Sequence, residues 1–143
     1  LAAEAACARP TADAKLMAIV NLTEDSFSDG STYQLSESEL LSHCQQLIDD
    51  GACILDLGAE STRPGADEVD DKTQIALLSN AMRVLSHLKV PLSIDTRSAA
   101  VAKHCLSAGA SMINDVSALG DEHMAAVVKE YEVPIVLMHS RGT

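Results

Sequence analysis

The chain has 143 residues, 47% hydrophobic and only 2% aromatic, with 10 basic against 21 acidic side chains and a formal net charge of −11. That is enough aliphatic material for a sizeable core, in one domain or part of a larger one. So acidic a balance argues against a general nucleic-acid or anionic-membrane surface, and no apolar run approaches the roughly 20 residues that a membrane-spanning helix needs.

Residues 1–14 are Ala-rich, contain a Pro and have no clear period. They read as a poorly ordered lead-in, without the basic and apolar regions of a signal peptide. The domain proper is expected over 15–143. Residues 16–20 form an apolar run that predicts a first strand. It opens into Asn21-Leu-Thr-Glu-Asp-Ser-Phe-Ser-Asp-Gly30, a polar stretch with almost nothing to fill a core. Ser36-Glu-Ser-Glu39 is a capping box, and Leu40, Cys44, Leu47 and Ile48 form the stripe of a first helix that Gly51 ends. A second strand over 53–58 opens into Ala59-Glu-Ser-Thr-Arg-Pro-Gly-Ala66. A second helix is expected over about 71–88, with Leu78, Met82, Leu85 and Leu88 on one face. Pro91 starts a third strand ending at Asp95. A third helix over 98–108 has Ser98 as its cap and Gly109 as its stop. A fourth strand over 112–116, a fourth helix over 122–131 and a fifth strand over 134–138 complete the pattern.

Short, continuously apolar strands alternating with helices indicate a parallel sheet, either doubly wound or part of a (β/α)8 barrel. No GxGxxG or GxxxxGK[ST] follows any strand, which weakens the nucleotide-binding versions of the open sheet. Every strand, not one switch point, delivers polar residues, so the barrel is favoured. The expected fold class is therefore α/β, the N-terminal part of a (β/α)8 TIM barrel with about five strands and four helices.

Asn21 and the hydroxyls and carboxylates of 23–29 are hard oxygen ligands of the kind that hold Mg²⁺ together with substrate phosphates. Thr62-Arg63-Pro64-Gly65 presents a guanidinium suited to bidentate phosphate recognition. Asp95 ends an apolar strand, so its carboxylate must be paired, bonded to a ligand or shifted in pKa. Asn114 and Asp115 alternate across a strand: an inward Asn114 can read the edge of a heterocycle, and Asp115 then makes a structural hydrogen bond. His139 reads as a base or an orienting histidine, and Met138 as core or ligand wall. His43, His87, His104 and His123 fall on helices without mutual ligand spacing. The cysteines at 7, 44, 53 and 105 show no CxxC spacing and read as reduced buried thiols of a cytoplasmic protein. Together these residues describe a site for an anionic, phosphorylated small molecule with a polar ring.

Asn21-x-Thr-x-Asp-Ser-Phe-Ser-Asp-Gly30, Gly51-Ala-x-Ile-Leu-Asp-Leu-Gly-x-Glu-Ser-Thr-Arg-Pro-Gly-Ala66, Ser93-Ile-Asp-Thr96, Ile113-Asn-Asp-Val116 and Met138-His-x-Arg-Gly142 closely resemble the dihydropteroate synthase family, in the right order over residues 17–143. The resemblance implies a (β/α)8 barrel that joins 7,8-dihydropterin-6-methyl diphosphate to p-aminobenzoate and releases diphosphate with Mg²⁺. It implies Asn21 as the Mg²⁺/diphosphate ligand, Asp95 and Asn114 as pterin partners, and Arg63 as a diphosphate contact. Phe27, Thr62 and Pro64 match the p-aminobenzoate pocket, which is also the sulfonamide pocket, and Asp29 a carboxylate near the developing cation. A cytoplasmic homodimer with no nucleic-acid or membrane partner is the expected setting. Glu24 stands where the family often has Pro, and Ala59 replaces a common second Gly. The family's later motifs do not occur in the chain, so it is expected to be the N-terminal portion of such an enzyme and incomplete for catalysis alone. The competing functions are a non-catalytic pterin-binding or assembly fragment of the same fold and a related methyltetrahydrofolate methyltransferase, although the latter lacks the first two loops.

Overall fold

The computed structural model describes residues 14–22, 36–60 and 69–139. Along the chain these form β1 (Leu16–Asn21), α1 (Glu37–Asp49), β2 (Ala52–Gly58), α2 (Asp71–Leu85), β3 (Leu92–Asp95), α3 (Ala99–Ser107), β4 (Met112–Asp115), α4 (Met124–Tyr131) and β5 (Ile135–Leu137). The five strands make one parallel sheet in the order β1-β2-β3-β4-β5. Sequential order decides between the two architectures. When every crossover has the same hand and steps in the same direction, all helices fall on one face of the sheet. A doubly wound sheet must reverse direction to cover both faces. The described strands and helices are thus part of a (β/α)8 barrel.

Local chemistry sets the helix ends. Ser36 Oγ accepts from Glu39 N at 3.3 Å while Ser36 N donates to Glu39 Oε2 at 2.8 Å, so the capping box is complete. The Asp70 carboxylate caps α2 by accepting from Lys72 N and Thr73 N, and Ser98 Oγ caps α3 by accepting from Val101 N. Gly51 and Gly109 follow α1 and α3 at φ of 112° and 103°, a left-handed conformation that a Cβ would strain. Two boundaries differ from expectation. The helix expected to reach 88 tightens into a 3-10 turn over Ser86–Leu88, where Ser86 Oγ donates to Arg83 O. The helix expected from 122 begins at Met124. Asp121 instead accepts from Ala99 N and His123 N, each at 2.9 Å, and joins the cap of α3. His123 accordingly precedes its helix rather than lying on it.

The core lies between the outer face of the sheet and the helices. Val20, Leu55, Leu57, Leu92, Ile94 and Ile113 meet Leu40 and Cys44 of α1, Leu78, Met82 and Leu85 of α2, Val101, Cys105 and Leu106 of α3, and Met124 and Val127 of α4. The opposite, inner face is left to the site. Ile19 on β1 and Val136, Leu137 and Met138 on and after β5 are exposed at the two flanks of the sheet. Cys44 and Cys105 are buried as expected, but Cys53, near the start of β2, is exposed, so one thiol departs from the buried set. Among the described residues no helix is long and apolar enough to cross a membrane.

Candidate functional site

Register converts the sequence motifs into one row. Asn21 pairs with Gly58, Gly58 with Asp95, Asp95 with Asn114, and Asn114 with Val136. In parallel strands, laterally paired residues share a face. Val20, Leu57, Ile94, Ile113 and Ile135 are the paired residues one position earlier, and they face the helices. The row Asn21–Gly58–Asp95–Asn114–Val136 therefore lines the inner face at the C-terminal ends of the strands, where barrels keep their active sites. One layer deeper lie Ile19, Asp56, Ser93 and Met112.

Gly58 leaves a gap in this row. A Cβ built there would lie 3.6 Å from Asp95 Cβ and Oδ2 and 3.7 Å from Asn21 Oδ1. The missing side chain is thus a cradle between the first and third members. Asp95 is half-buried, and no donor among the described residues reaches its carboxylate. Burial, and then repulsion from Asp56, Glu60 and Asp115, push its pKa up to about 6. Asn114 Nδ2 donates to Asp56 Oδ2 at 2.8 Å. Asp56 is 2% exposed, and its Oδ1, like Ser93 Oγ, is a buried polar atom without a partner among the described residues.

The strand ends are held firmly. Leu22 N donates to Gly58 O at 2.8 Å and Thr96 N to Asn114 O at 3.2 Å, extending the ladder past the strands. Buried Thr96 donates from Oγ1 to Gln74 Oε1 and accepts from Ser98 N, while Gln74 Nε2 donates to Val69 O at 2.7 Å. Asp115, fully buried, accepts from Ser117 N, Ser117 Oγ and Leu119 N. This clasps a turn in which Ala118 and Leu119 adopt left-handed φ values of 54° and 67°. Asp115 is the structural partner of the pair, as the strand alternation implied, and Asn114 faces inward. Arg97 forms a two-pronged ion pair with Glu60, with Nε to Oε2 at 3.0 Å.

The structure therefore brings Asn21, Asp95 and Asn114 together on one face. Met138 and His139 follow β5 and are exposed. Phe27, Asp29, Thr62, Arg63 and Pro64 lie outside the described residues, as does most of the two loops that carry them. Sequence reasoning missed Asp56. Its signal was available: with Leu55 and Leu57 turned to the helices, strand alternation turns Asp56 to the inner face. Chemically, the row offers oxygen acceptors and one amide on the inner face, above the buried Asp56. That suits a ligand edge rich in N–H donors, or one that gains positive charge during reaction.

Residues 17–143 match the family model described as pterin binding enzyme. A dihydropteroate synthase of Bacillus subtilis is 48% identical over 128 residues, covering 88% of this chain and 45% of that protein. The solved Xanthomonas albilineans dihydropteroate synthase with 4-aminobenzoic acid is 41% identical with a TM-score of 0.74, over 90% of this chain and 47% of its own. The Anaplasma phagocytophilum dihydropteroate synthase with bound 6-hydroxymethylpterin-monophosphate is 35% identical with a TM-score of 0.74, over 90% and 49%. The chain spans about half the length of the relatives it matches.

Proposed function

We propose, from the premise that this chain belongs to the pterin-binding enzyme family, that it serves dihydropteroate synthesis: 7,8-dihydropterin-6-methyl diphosphate and p-aminobenzoate give 7,8-dihydropteroate and diphosphate. One observation carries this reading. The Asp95 carboxylate, which no donor among the described residues reaches, and the inward Asn114 amide stand side by side, with the buried Asp56 side chain beneath them. An acceptor-rich concavity of this kind matches the N–H-rich edge of a pterin. Ionised Asp95 can only accept, so it selects that edge over a carbonyl edge. Its charge also favours the transition state, in which the pterin methylene becomes cationic as diphosphate departs.

Asn21 is the proposed protein ligand to Mg²⁺. Its Oδ1 borders the Gly58 gap, and a single neutral oxygen fits a cation that takes its remaining ligands from phosphate and water. When bound, Mg²⁺ would neutralise charge building on the leaving diphosphate. Arg63 would hold that diphosphate, and Asp29 would lie near the cationic methylene. Phe27, Thr62, Pro64 and Met138 would wall the p-aminobenzoate and pterin positions. A cytoplasmic homodimer is part of the proposal. The free Cys44, Cys53 and Cys105 fit a reducing compartment.

Complementation tests the reading. The whole reading frame that encodes this chain should restore growth to a bacterium deleted for its own dihydropteroate synthase, and Asp95→Asn should abolish the rescue. Soluble protein that neither rescues growth nor releases diphosphate from the pterin substrate in the presence of p-aminobenzoate and Mg²⁺ overturns it.

A further inference from the structure

We infer that Asp56 is a positioning residue of the pterin site, fixing which end of the Asn114 amide faces the ligand and setting the charge against which Asp95 works. This rests on the proposed function for the identity of the ligand, on a hydrogen bond for the first contact, and on the enclosed place of Asp56 one layer below Asp95 and the repulsion between them for the second.

Asp56 lies one layer below the row and is almost wholly enclosed, with 2% exposure. A carboxylate oxygen accepts, so the 2.8 Å contact to Asn114 is made by the Nδ2 end of the amide. Rotating that amide by half a turn would set two oxygens against each other in a desolvated site. The amide is thereby locked, and its Oδ1 and second N–H remain for a ligand. A neutral residue at 56 would accept the amide in either sense, and the recognition pattern would no longer be unique.

The second contact is electrostatic. Asp56 Oδ1 meets no donor among the described residues, and neither does Ser93 Oγ beside it on β3. A buried polar atom without a partner calls for an explanation. Among the described residues the acids that act on Asp95 are Asp56 and Glu60 from β2 and its end and, from the other face of β4, Asp115, with the neutral Asn21 and Asn114 in its own row. Arg97, two residues on, engages Glu60. Of the acids, Glu60 has its cation and Asp115 has three donors of its own turn. Among the described residues Asp56 has one donor, the Asn114 amide. Its field therefore remains to oppose the Asp95 charge until a donor-rich ligand arrives, which makes that ligand's N–H groups worth more to the site.

The test is Asp56→Asn, which preserves shape and removes charge. Carboxyl ¹³C NMR of the ligand-free protein should show the Asp95 midpoint, near 6 in the parent, falling toward the ordinary carboxylate range. Calorimetric affinity for 6-hydroxymethylpterin at pH 7.5 should fall about tenfold, and it should then vary less between pH 5 and 7.5 than the parent's. In an Asn114→Ser background the same substitution should change affinity less than threefold at pH 7.5, because the amide it orients is gone. An unmoved Asp95 midpoint, or an undiminished tenfold loss without Asn114, overturns the assignment. If Asp56→Asn does not fold, the parent decides: one Asn114 side-chain amide proton should be protected from exchange, and equal exchange of both is contrary. A parent that binds no pterin sinks the proposed ligand, while the Asp95 titration still judges the role of Asp56.

Discussion

Gly58 faces Asp95 across the β2–β3 register, and a methyl group placed on it would rest 3.6 Å from that carboxylate. The contact is an ordinary van der Waals one, and the backbone of Gly58 does not occupy the left-handed region. Gly58→Ala should therefore fold, with stability changed by less than about 1 kcal/mol. It fills the cradle between Asn21 and Asp95, so pterin affinity should fall by about 1–3 kcal/mol from overpacking against the ligand. Thermal melting beside calorimetric titration checks both halves. A destabilised protein with intact affinity would show that the gap serves packing alone.

Asp95→Asn should separate stability from function. The Asp95 pKa near 6 stands above its ordinary 3.8. Between those values the folded chain binds more protons than the unfolded one, so stability falls as pH rises through the window and stays lower above it. Removing the charge should raise stability at pH 7.5 by about 1–2 kcal/mol, a figure reduced for partial solvent screening, with the gain shrinking toward pH 4. Transition-state stabilisation should drop by about 2–4 kcal/mol. Denaturant unfolding at both pH values and kcat/KM of the enzyme measure the trade. Equal melting of parent and variant at pH 7.5 is the contrary result.

Most of this architecture was legible because it is local. The Ser36–Glu39 capping box, the glycines at 51 and 109 and the apolar runs of the five strands each announce their structure within a few residues. The row Asn21, Asp95, Asn114 was legible too, because strand alternation assigns faces. What escaped was set by tertiary contact. Asp56 meets Asn114 across 58 residues of chain, so the spacing of its own strand does not reveal the partner. The fourth helix was expected from 122 and begins at Met124, because Asp121 just before it caps the neighbouring α3 through Ala99 N. The end of α2 was overrun because Leu88 continues the apolar stripe although the backbone has already tightened at Ser86.

Arg63→Ala should split from Asp95→Asn kinetically. The first removes a proposed contact to the leaving group and should depress kcat with pterin Kd less affected. The second should raise Kd as well. An Arg63→Ala enzyme with intact kcat and pterin affinity weakened as much as by Asp95→Asn would reverse the two roles.

Thiol chemistry should follow burial. Enclosure pushes the Cys44 and Cys105 thiols up to about 11, whereas Cys53 is exposed. At pH 8 iodoacetamide should modify Cys53 rapidly, and Cys44 and Cys105 only after denaturation. Mass spectrometry of tryptic peptides at timed intervals measures it. Early labelling of Cys105 would mean that α3 opens readily.

The 143-residue chain expressed by itself should self-associate. Ile19 is 67% exposed on β1, and Val136, Leu137 and Met138 are 39%, 46% and 45% exposed at the other flank. Unpaired strand edges beside such surface promote association. Light scattering should show higher species at rising concentration, reduced by Ile19→Thr with Leu137→Lys. A monodisperse monomer across that range contradicts it.

The lateral row draws one residue from each of five strands, and this places unequal limits on how the protein can vary. Inserting or deleting a single residue within any strand would turn that strand's member toward the helices and break ligand contact at once. Length changes in the connections leave every register intact. Variation in loop length is therefore open to the lineage, while the spacing of the inward-facing strand positions is closed to gradual change.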